Sequence, residues 1–366
     1  MITIDLIVGA RPNFMKIAPL IKELDGSRNF KYRLISTGQH NLSEMSTIFY
    51  EIFDIKSPDF SLAQVSGSHS NQISQIINFY DGIIEISKPD LCIVVGDVTS
   101  SLACALVAVK SNVRLAHIES GLRSNDRSMP EEINRILIDA IADFHFTTSI
   151  DASQNLIKEN RPESNIIMVG NIMIDSFVLV QEKIKKNLIV QDMNLEFKNY
   201  GVVTLHRPVN VDLKENLYKI LLELHSITET IPLVFPIHPR TKSRILEFGF
   251  ENLLVKENLI VCEPLDYINF MSLVHASSIV ITDSGGVQEE TTFLRIPCLT
   301  VREQTERPIT TILGTNKLVK ISELAATAIT TITEPLQGVQ IPELWDGYTA
   351  KRIVAYLEQI FFQDIV

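Results

Sequence analysis

Short apolar runs that suit buried strands alternate with amphipathic stretches along almost the whole chain. Ile2 to Val8, Tyr32 to Ser36, Leu91 to Val95, Arg114 to Ile118, His145 to Thr148 and Ile166 to Val169 are predicted strands. Among them, Phe14 to Leu24 and Leu102 to Val109 are predicted helices, and Pro130 with Glu131 and Glu132 opens another. Proline and acids both suit a first turn, where no N–H is needed and the helix dipole is positive. A charged segment, Gln181 to Lys198, interrupts the pattern. It restarts at Tyr200 to Leu205 and continues with strands at Leu233 to Pro236, Leu259 to Cys262, Ser278 to Ile281 and Cys298 to Val301.

Such alternation means βαβ units and parallel sheets covered on both faces. The expected fold is α/β, with two Rossmann-like doubly wound domains over 1–172 and 173–349. The amphipathic run Lys351 to Phe362 is predicted to be a helix, with 350–366 packing back on the first domain. Two sheets of this kind are expected to face a cleft with their strand C-termini, where open α/β folds bind ligands.

Composition narrows the function classes. The chain has 366 residues, 45% hydrophobic and 21% charged, which fits two globular domains. Its net charge of −11 argues against a nucleic-acid surface but not against a locally basic pocket for a small anion. The most apolar long stretch, Leu91 to Val109, is broken by Gly96 and Asp97, so no membrane span is expected. Met1 to Ala10 has no basic start and is taken as a first strand rather than a signal peptide. Cys92, Cys104, Cys262 and Cys298 sit in apolar runs without metal-type spacing, so buried free thiols in the cytoplasm are expected, with no metal and no cofactor.

Candidate chemistry lies just after the strands. Thr282-Asp283-Ser284-Gly285-Gly286 joins a strand to a helix, leaving backbone N–H groups uncovered at a positive dipole end, which suits phosphate. Glycine at such a turn also serves positive φ alone, so the motif does not stand by itself. Arg11 and Lys16, after the first strand, suit phosphate oxygens, although Lys16 also suits a solvated helix face. Asp97, Glu119 and Glu131 follow strands or a short loop, and clustered acids should raise one another's pKa for proton transfer. Singly, Asp97 also suits a helix cap and Glu131 a helix dipole. His206 ends a strand as a proton carrier or diphosphate donor. Arg307 suits either a phosphate clamp or a pair with Glu306. No dinucleotide glycine fingerprint, P-loop, nucleophile elbow or zinc-protease motif is present.

Taken together these blocks resemble the bacterial non-hydrolysing UDP-N-acetylglucosamine 2-epimerases, a family with a glycosyltransferase-B-like fold. The resemblance includes Gly9-Ala10-Arg11-Pro12, Thr37-Gly38-Gln39-His40, Gly96-Asp97 and His117 to Ser124. It continues through Pro130 to Arg135, His206-Arg207, Glu263 to Tyr267, Thr282 to Glu290, Thr305 to Pro308 and Trp345-Asp346-Gly347. It implies interconversion of UDP-N-acetylglucosamine and UDP-N-acetylmannosamine through loss and re-addition of UDP, with 2-acetamidoglucal between. By resemblance Asp97, Glu119, Glu131 and His206 serve the sugar and its protons. Arg11, Lys16, Arg135, Ser284, Gly285, Gly286, Glu290 and Arg307 would bind substrate, with Phe270 near the uracil, and the enzyme would be a homodimer.

The sequence departs from the family in places. Asn13 stands where the common opening has glutamate, so an acid is missing beside the phosphate loop. Asn41 to Glu44 and Ser66 to Ser70 replace glutamines that accompany activation by substrate, which implies no such activation. The variant opening, Gly9 to Asn13, and the Ser66 to His69 loop also look like relatives that epimerise UDP-2,3-diacetamido-glucuronic acid. That substrate is the alternative, along with a hydrolysing relative or a glycosyltransferase-like nucleotide-sugar binder.

Overall fold

The computed structural model describes residues 1–38, 50–334 and 337–363. Gln39, His40 and Asn41 to Glu44 lie outside the described residues, as does the side chain of Arg11. The chain divides into two units, Met1–Leu179 with Glu343–Val366, and Val180–Pro342.

The first unit holds a seven-stranded parallel sheet of β1 (Ile2–Val8), β2 (Phe30–Ser36), β3 (Phe60–Ser61), β4 (Leu91–Val95), β5 (Arg114–Ser120), β6 (Phe144–Thr147) and β7 (Ile166–Met168). Its order is β3-β2-β1-β4-β5-β6-β7, so the chain winds outward from β1 and then crosses back to β4. The carboxyl ends of β1 and β4 therefore form a topological switch point, the place where open α/β sheets bind ligands. The second unit holds β8 (Gly201–Thr204), β9 (Leu233–Pro236), β10 (Leu259–Cys262), β11 (Ile279–Thr282), β12 (Cys298–Thr300) and β13 (Asn316–Leu318). They run parallel in the order β10-β9-β8-β11-β12-β13, which puts its switch point at β8 and β11.

Apolar packing fixes both platforms. In the first unit Ile7, Ile35, Cys92 and Val94 are buried beneath Tyr80, Leu102 and Ala105 of two covering helices, His69–Ile86 and Thr99–Lys110. In the second, Val203, Phe235, Ile281 and Leu299 share a core with Leu217, Leu221 and Leu224 of the Lys214–Thr228 helix. Each such aliphatic side chain contributes roughly 1.5–3 kcal/mol on burial.

Two edge strands, β3 and β13, escape the sequence pattern. Phe60–Ser61 and Asn316–Leu318 are short and lack an apolar run, so they are defined only by pairing with a neighbour. The Gln181 to Lys198 stretch is also more ordered than its charge implies, since the Ile172–Lys185 helix runs into it. All four cysteines are free; Cys262 is only half-buried, because it ends β10 near the sheet edge, whereas the other three are buried as expected.

The last segment returns to the first unit. The Thr349–Glu358 helix packs on the Arg11–Asp25 helix, Ala350 N donates to Asp175 Oδ1 at 2.8 Å, and Trp345 Nε1 donates to the Thr148 carbonyl at 2.9 Å. No helix among the described residues is long and apolar enough to cross a membrane.

Candidate active site

Glu119 is the most constrained residue of the first unit's switch point. It sits at φ 68°, and the pairing of β5 with β6 slips between Ile118 and Ser120. A bulge of this kind re-aims a side chain at a strand end, and a non-glycine residue in the left-handed region costs of order 1–3 kcal/mol. Here it buries the Glu119 carboxylate against Lys16, with Nζ 2.5 Å from Oε2. Gly96 makes room: it lies at φ 64°, and a Cβ there would stand 3.1 Å from Glu119 Oε2 and 3.5 Å from Lys16 Nζ. Glu119 Oε1 is buried and has no hydrogen-bond partner among the described residues. Lys16 is thus no solvated helix residue.

Asp97 follows β4 directly. The next helix, Thr99–Lys110, is capped by Val98, so Asp97 is not its cap. Instead Arg135 Nε donates to Asp97 Oδ2 at 2.8 Å, and Asn134 Nδ2 donates to the Asp97 carbonyl at 2.8 Å. Both partners come from the Pro130–Ile141 helix, which ties it to the end of β4. Glu131, in its first turn, is exposed. It lies four positions before Arg135 and so shares that helix face. The mutual repulsion expected among these acids is replaced by cationic partners for Glu119 and Asp97.

Arg135 is buried between two carboxylates, Asp97 and Glu132, the latter 2.5 Å from Nη1. Glu132 also accepts from Ser124 N and Asn125 N, each at 2.9 Å, and so clamps the loop after β5. The sequence offers Glu131 and Glu132 equally, as adjacent acids in one first turn. Only the phase of the helix decides that Glu132 turns inward.

Asn13 is a second residue whose role the sequence leaves open. Its Oδ1 accepts from Ala10 N at 3.0 Å and its Nδ2 donates to the Val95 carbonyl at 2.8 Å, joining the β1 turn to the end of β4. An amide makes both bonds; an ionised glutamate, with acceptors alone, makes only one.

Below these residues lies a buried polar network centred on Asp139. It accepts from Ser120 Oγ at 2.5 Å and Gly121 N at 3.0 Å, and it pairs with His117 Nδ1 at 2.6 Å and Arg123 at 2.7 Å. The other ring nitrogen of His117 meets the Gly96 carbonyl at 3.0 Å, linking the network to the switch point. Burial opposes ionisation of Asp139, but His117, Arg123 and Ser120 outweigh it and hold the carboxyl well below its usual range. Burial pushes His145 down to about 4, so it is neutral near pH 7 and its Nδ1–H donates to Ser120 Oγ at 2.9 Å.

In the second unit, Ser284 caps the Gly285–Leu294 helix without a side-chain hydrogen bond. The N–H groups of a first turn have no intrahelical acceptor, and together with the dipole they favour an anion. At Gly285 a Cβ would collide with Arg307 Nη1, whereas at Gly286 nothing lies within 4 Å. The first glycine therefore admits the arginine and the second leaves open space.

Arg307 does pair with Glu306, Nη1 to Oε1 at 2.8 Å, and also with Glu289, Nε to Oε1 at 2.7 Å. Arg302 and Arg207 reach the same Glu306 at 2.8 Å and 3.3 Å. Burial works against the charge on Glu306, yet Arg307, Arg302 and Arg207 hold its carboxyl far below the usual range. Three guanidinium groups thus gather on Glu306, one of them also on Glu289, beside the start of the Gly285–Leu294 helix. Glu290, also buried, accepts from Tyr267 Oη at 2.8 Å. Phe270, half-buried, lies three positions beyond Tyr267 on the same helix face.

His206 follows β8 and meets Asp283, which follows β11; the two strands pair with Thr204 opposite Thr282. His206 Nδ1 is 3.0 Å from Asp283 Oδ1. The carboxylate also accepts from His206 N at 3.1 Å, Arg207 N at 2.9 Å and Asn210 Nδ2 at 3.0 Å. Burial disfavours the charged form of Asp283, but the bonds from His206, Asn210 and Arg207 hold it below the ordinary carboxylate range. The His206 ring lies against His238, centroids 5.3 Å apart.

A family model described as UDP-N-acetylglucosamine 2-epimerase matches residues 22–358. The chain is 39% identical over 324 residues to the UDP-N-acetylglucosamine 2-epimerase of Methanococcus maripaludis, covering 87% of this chain and 88% of that protein. It is 35% identical over 360 residues to the UDP-2,3-diacetamido-2,3-dideoxy-D-glucuronate 2-epimerase of Pseudomonas aeruginosa, covering 97% and 99%. The crystal structure of Methanocaldococcus jannaschii UDP-GlcNAc 2-epimerase in complex with UDP-GlcNAc and UDP is similar at a TM-score of 0.89 and 36% identity, covering 97% of this chain and 99% of that one. The two doubly wound units accordingly make up a glycosyltransferase-B-like fold. With coverage this complete and identity above a third, the chain belongs to the UDP-N-acetylglucosamine 2-epimerase family.

Proposed function

We propose that this enzyme interconverts UDP-N-acetylglucosamine and UDP-N-acetylmannosamine by eliminating and re-adding UDP, without net hydrolysis. An acetamido group on C2 blocks oxidation to a ketone, so inversion needs another route to an exchangeable C2 proton. As the C1–O bond breaks, its electron pair leaves with the diphosphate, C1 gains positive character, and a carboxylate takes the C2 proton to give 2-acetamidoglucal. In reverse, a diphosphate oxygen attacks C1 while a proton is delivered to the opposite face of C2.

The reading rests on one observation above the others: Glu119 holds one oxygen on Lys16 while Oε1 is buried without a partner among the described residues. A buried acceptor left unpaired is costly unless substrate uses it. In this reading Asp97, Glu119, Glu131 and His206 handle the sugar and its protons. Ser284, Gly285, Gly286 and Arg307, with Arg11 and Lys16, receive the diphosphate, whose departing charge such donors stabilise by several kcal/mol. Glu290 and Phe270 take the nucleoside side. Arg135 acts by holding Asp97 and Glu132 in place. Neither a metal nor a redox cofactor enters this scheme, and the assembly is a homodimer, which light scattering tests.

Incubation with UDP-N-acetylglucosamine in D₂O, followed by NMR, is the test. Deuterium at C2 and an equilibrium of two UDP-sugars support the proposal; free N-acetylmannosamine with UDP points to the hydrolysing route. The second reading, epimerisation of UDP-2,3-diacetamido-glucuronic acid, is favoured by the similarity to the Pseudomonas protein over 97% of this chain. Turnover of that sugar alone would replace the first reading.

A further inference from the structure

We propose that Asp283 is a positioning residue that fixes the His206 imidazole with its proton on Nδ1 and so presents Nε2 as the proton-carrying atom. The inference rests on the proposed function for its catalytic meaning, but its structural core stands on the geometry alone. Asp283 is fully buried, ionised, and acceptor-only. A hydrogen bond between its Oδ1 and His206 Nδ1 therefore requires the proton on the ring nitrogen. In the neutral ring, Nε2 is then an acceptor, and it becomes a donor only when the imidazolium forms.

That settles the two uses left open by the sequence for this histidine. Neutral His206 takes a proton at Nε2; the resulting imidazolium, stabilised by Asp283, donates from the same atom to an anionic oxygen. Asp283 itself stays a carboxylate throughout, as the aspartate of a Ser-His-Asp triad does. Three further donors, His206 N, Arg207 N and Asn210 Nδ2, hold the carboxylate, so the ring finds an acceptor already in place. The charged and titratable neighbours that bear on the ring are Asp283 itself, His238, whose tilted ring lies 5.3 Å away between centroids, and Arg207, whose Nε donates to the Asp283 carbonyl at 3.0 Å.

The competing explanation is that Asp283 only ties the loop after β8 to the end of β11. Two measurements separate them. In wild-type enzyme with ¹⁵N-labelled histidine, two-bond ¹H–¹⁵N correlation distinguishes the two neutral tautomers, with His206 assigned by its loss in His206→Ala. The expected form carries the proton on Nδ1; a proton on Nε2 of the neutral ring overturns the proposal. Secondly, Asp283→Asn should lower kcat by roughly a hundredfold or more while KM moves by less than about threefold. In a His206→Ala background the same change should cost less than about threefold, because the two residues act as a unit. An equal loss in both backgrounds assigns Asp283 a structural role and overturns the proposal. If wild type turns over neither UDP-sugar, the functional reading fails, and the tautomer measurement still decides the dyad.

Discussion

The two units share one winding but furnish their switch points with different side chains. In the first, the ends of β4 and β5 carry carboxylates held by cations: Asp97 by Arg135 and Glu119 by Lys16. In the second, β11 leads to a helix start without a side-chain cap bond, and β8 and β12 lead to three arginines gathered on Glu306. Parallel strands and their covering helices fix where a ligand is met, but the loops decide what charge it meets. The scaffold is the same; the first unit brings strand-end carboxylates to its switch point, and the second brings a histidine–aspartate pair and a helix start beside arginines.

The comparison is most exposed at Glu119. Glu119→Gln keeps the shape but removes the proton acceptor, and turnover should fall roughly 10²–10⁴-fold with near-unchanged UDP affinity. Steady-state kinetics with UDP titration calorimetry checks this, and a loss of UDP binding instead would move nucleotide recognition to the first unit. Next in size is Asp139→Asn. It leaves His117 and Arg123 facing an amide, and should destabilise by about 3–5 kcal/mol in urea unfolding.

Acid sharpens the contrast further. His145 is depressed to about 4 in the folded state, below its usual 6.5, so below pH 6.5 the unfolded chain takes up the proton that the folded one refuses. Its stabilising effect is complete above pH 6.5 and declines as pH falls toward 4, on the order of 2 kcal/mol by pH 5. Asp283 and Glu306, held below the carboxylate range, keep their contributions until lower pH still. Half-buried His275 of the second unit shifts in the same direction as His145. Hydrogen exchange from pH 7 to 5 should show the first unit loosening before the second, and His145→Gln should flatten that slope. The smallest effect expected is Gly285→Ala. Its methyl group displaces Arg307, and UDP affinity should drop roughly tenfold by calorimetry, with the midpoint of unfolding little changed.

Much of the fold is legible because strand and helix periods repeat through both halves, and every long strand falls where apolar runs predict it. The edge strands β3 and β13 are not, since they lack an apolar run and pairing alone defines them. The candidate site is legible as a list of strand-end residues. Its partnerships are less so: Asp139 lies 22 positions from His117, and Asp283 lies 77 from His206, with nothing local to join them. Cys262 looks as apolar in context as its three counterparts and yet is half-buried.

Local chemistry along the chain determined the α/β class, the two windings, the anion-favouring helix start at Ser284 and the acids after β4 and β5. Those follow from side-chain period and backbone N–H direction, which a neighbouring stretch of residues already contains. Tertiary structure alone decided that Glu132 turns inward while Glu131 stays exposed, that Lys16 is taken by Glu119, and that Arg307 is shared between two acids. Helix phase and strand order bring distant residues within hydrogen-bond reach, and a charge removed from water takes whichever partner that geometry supplies.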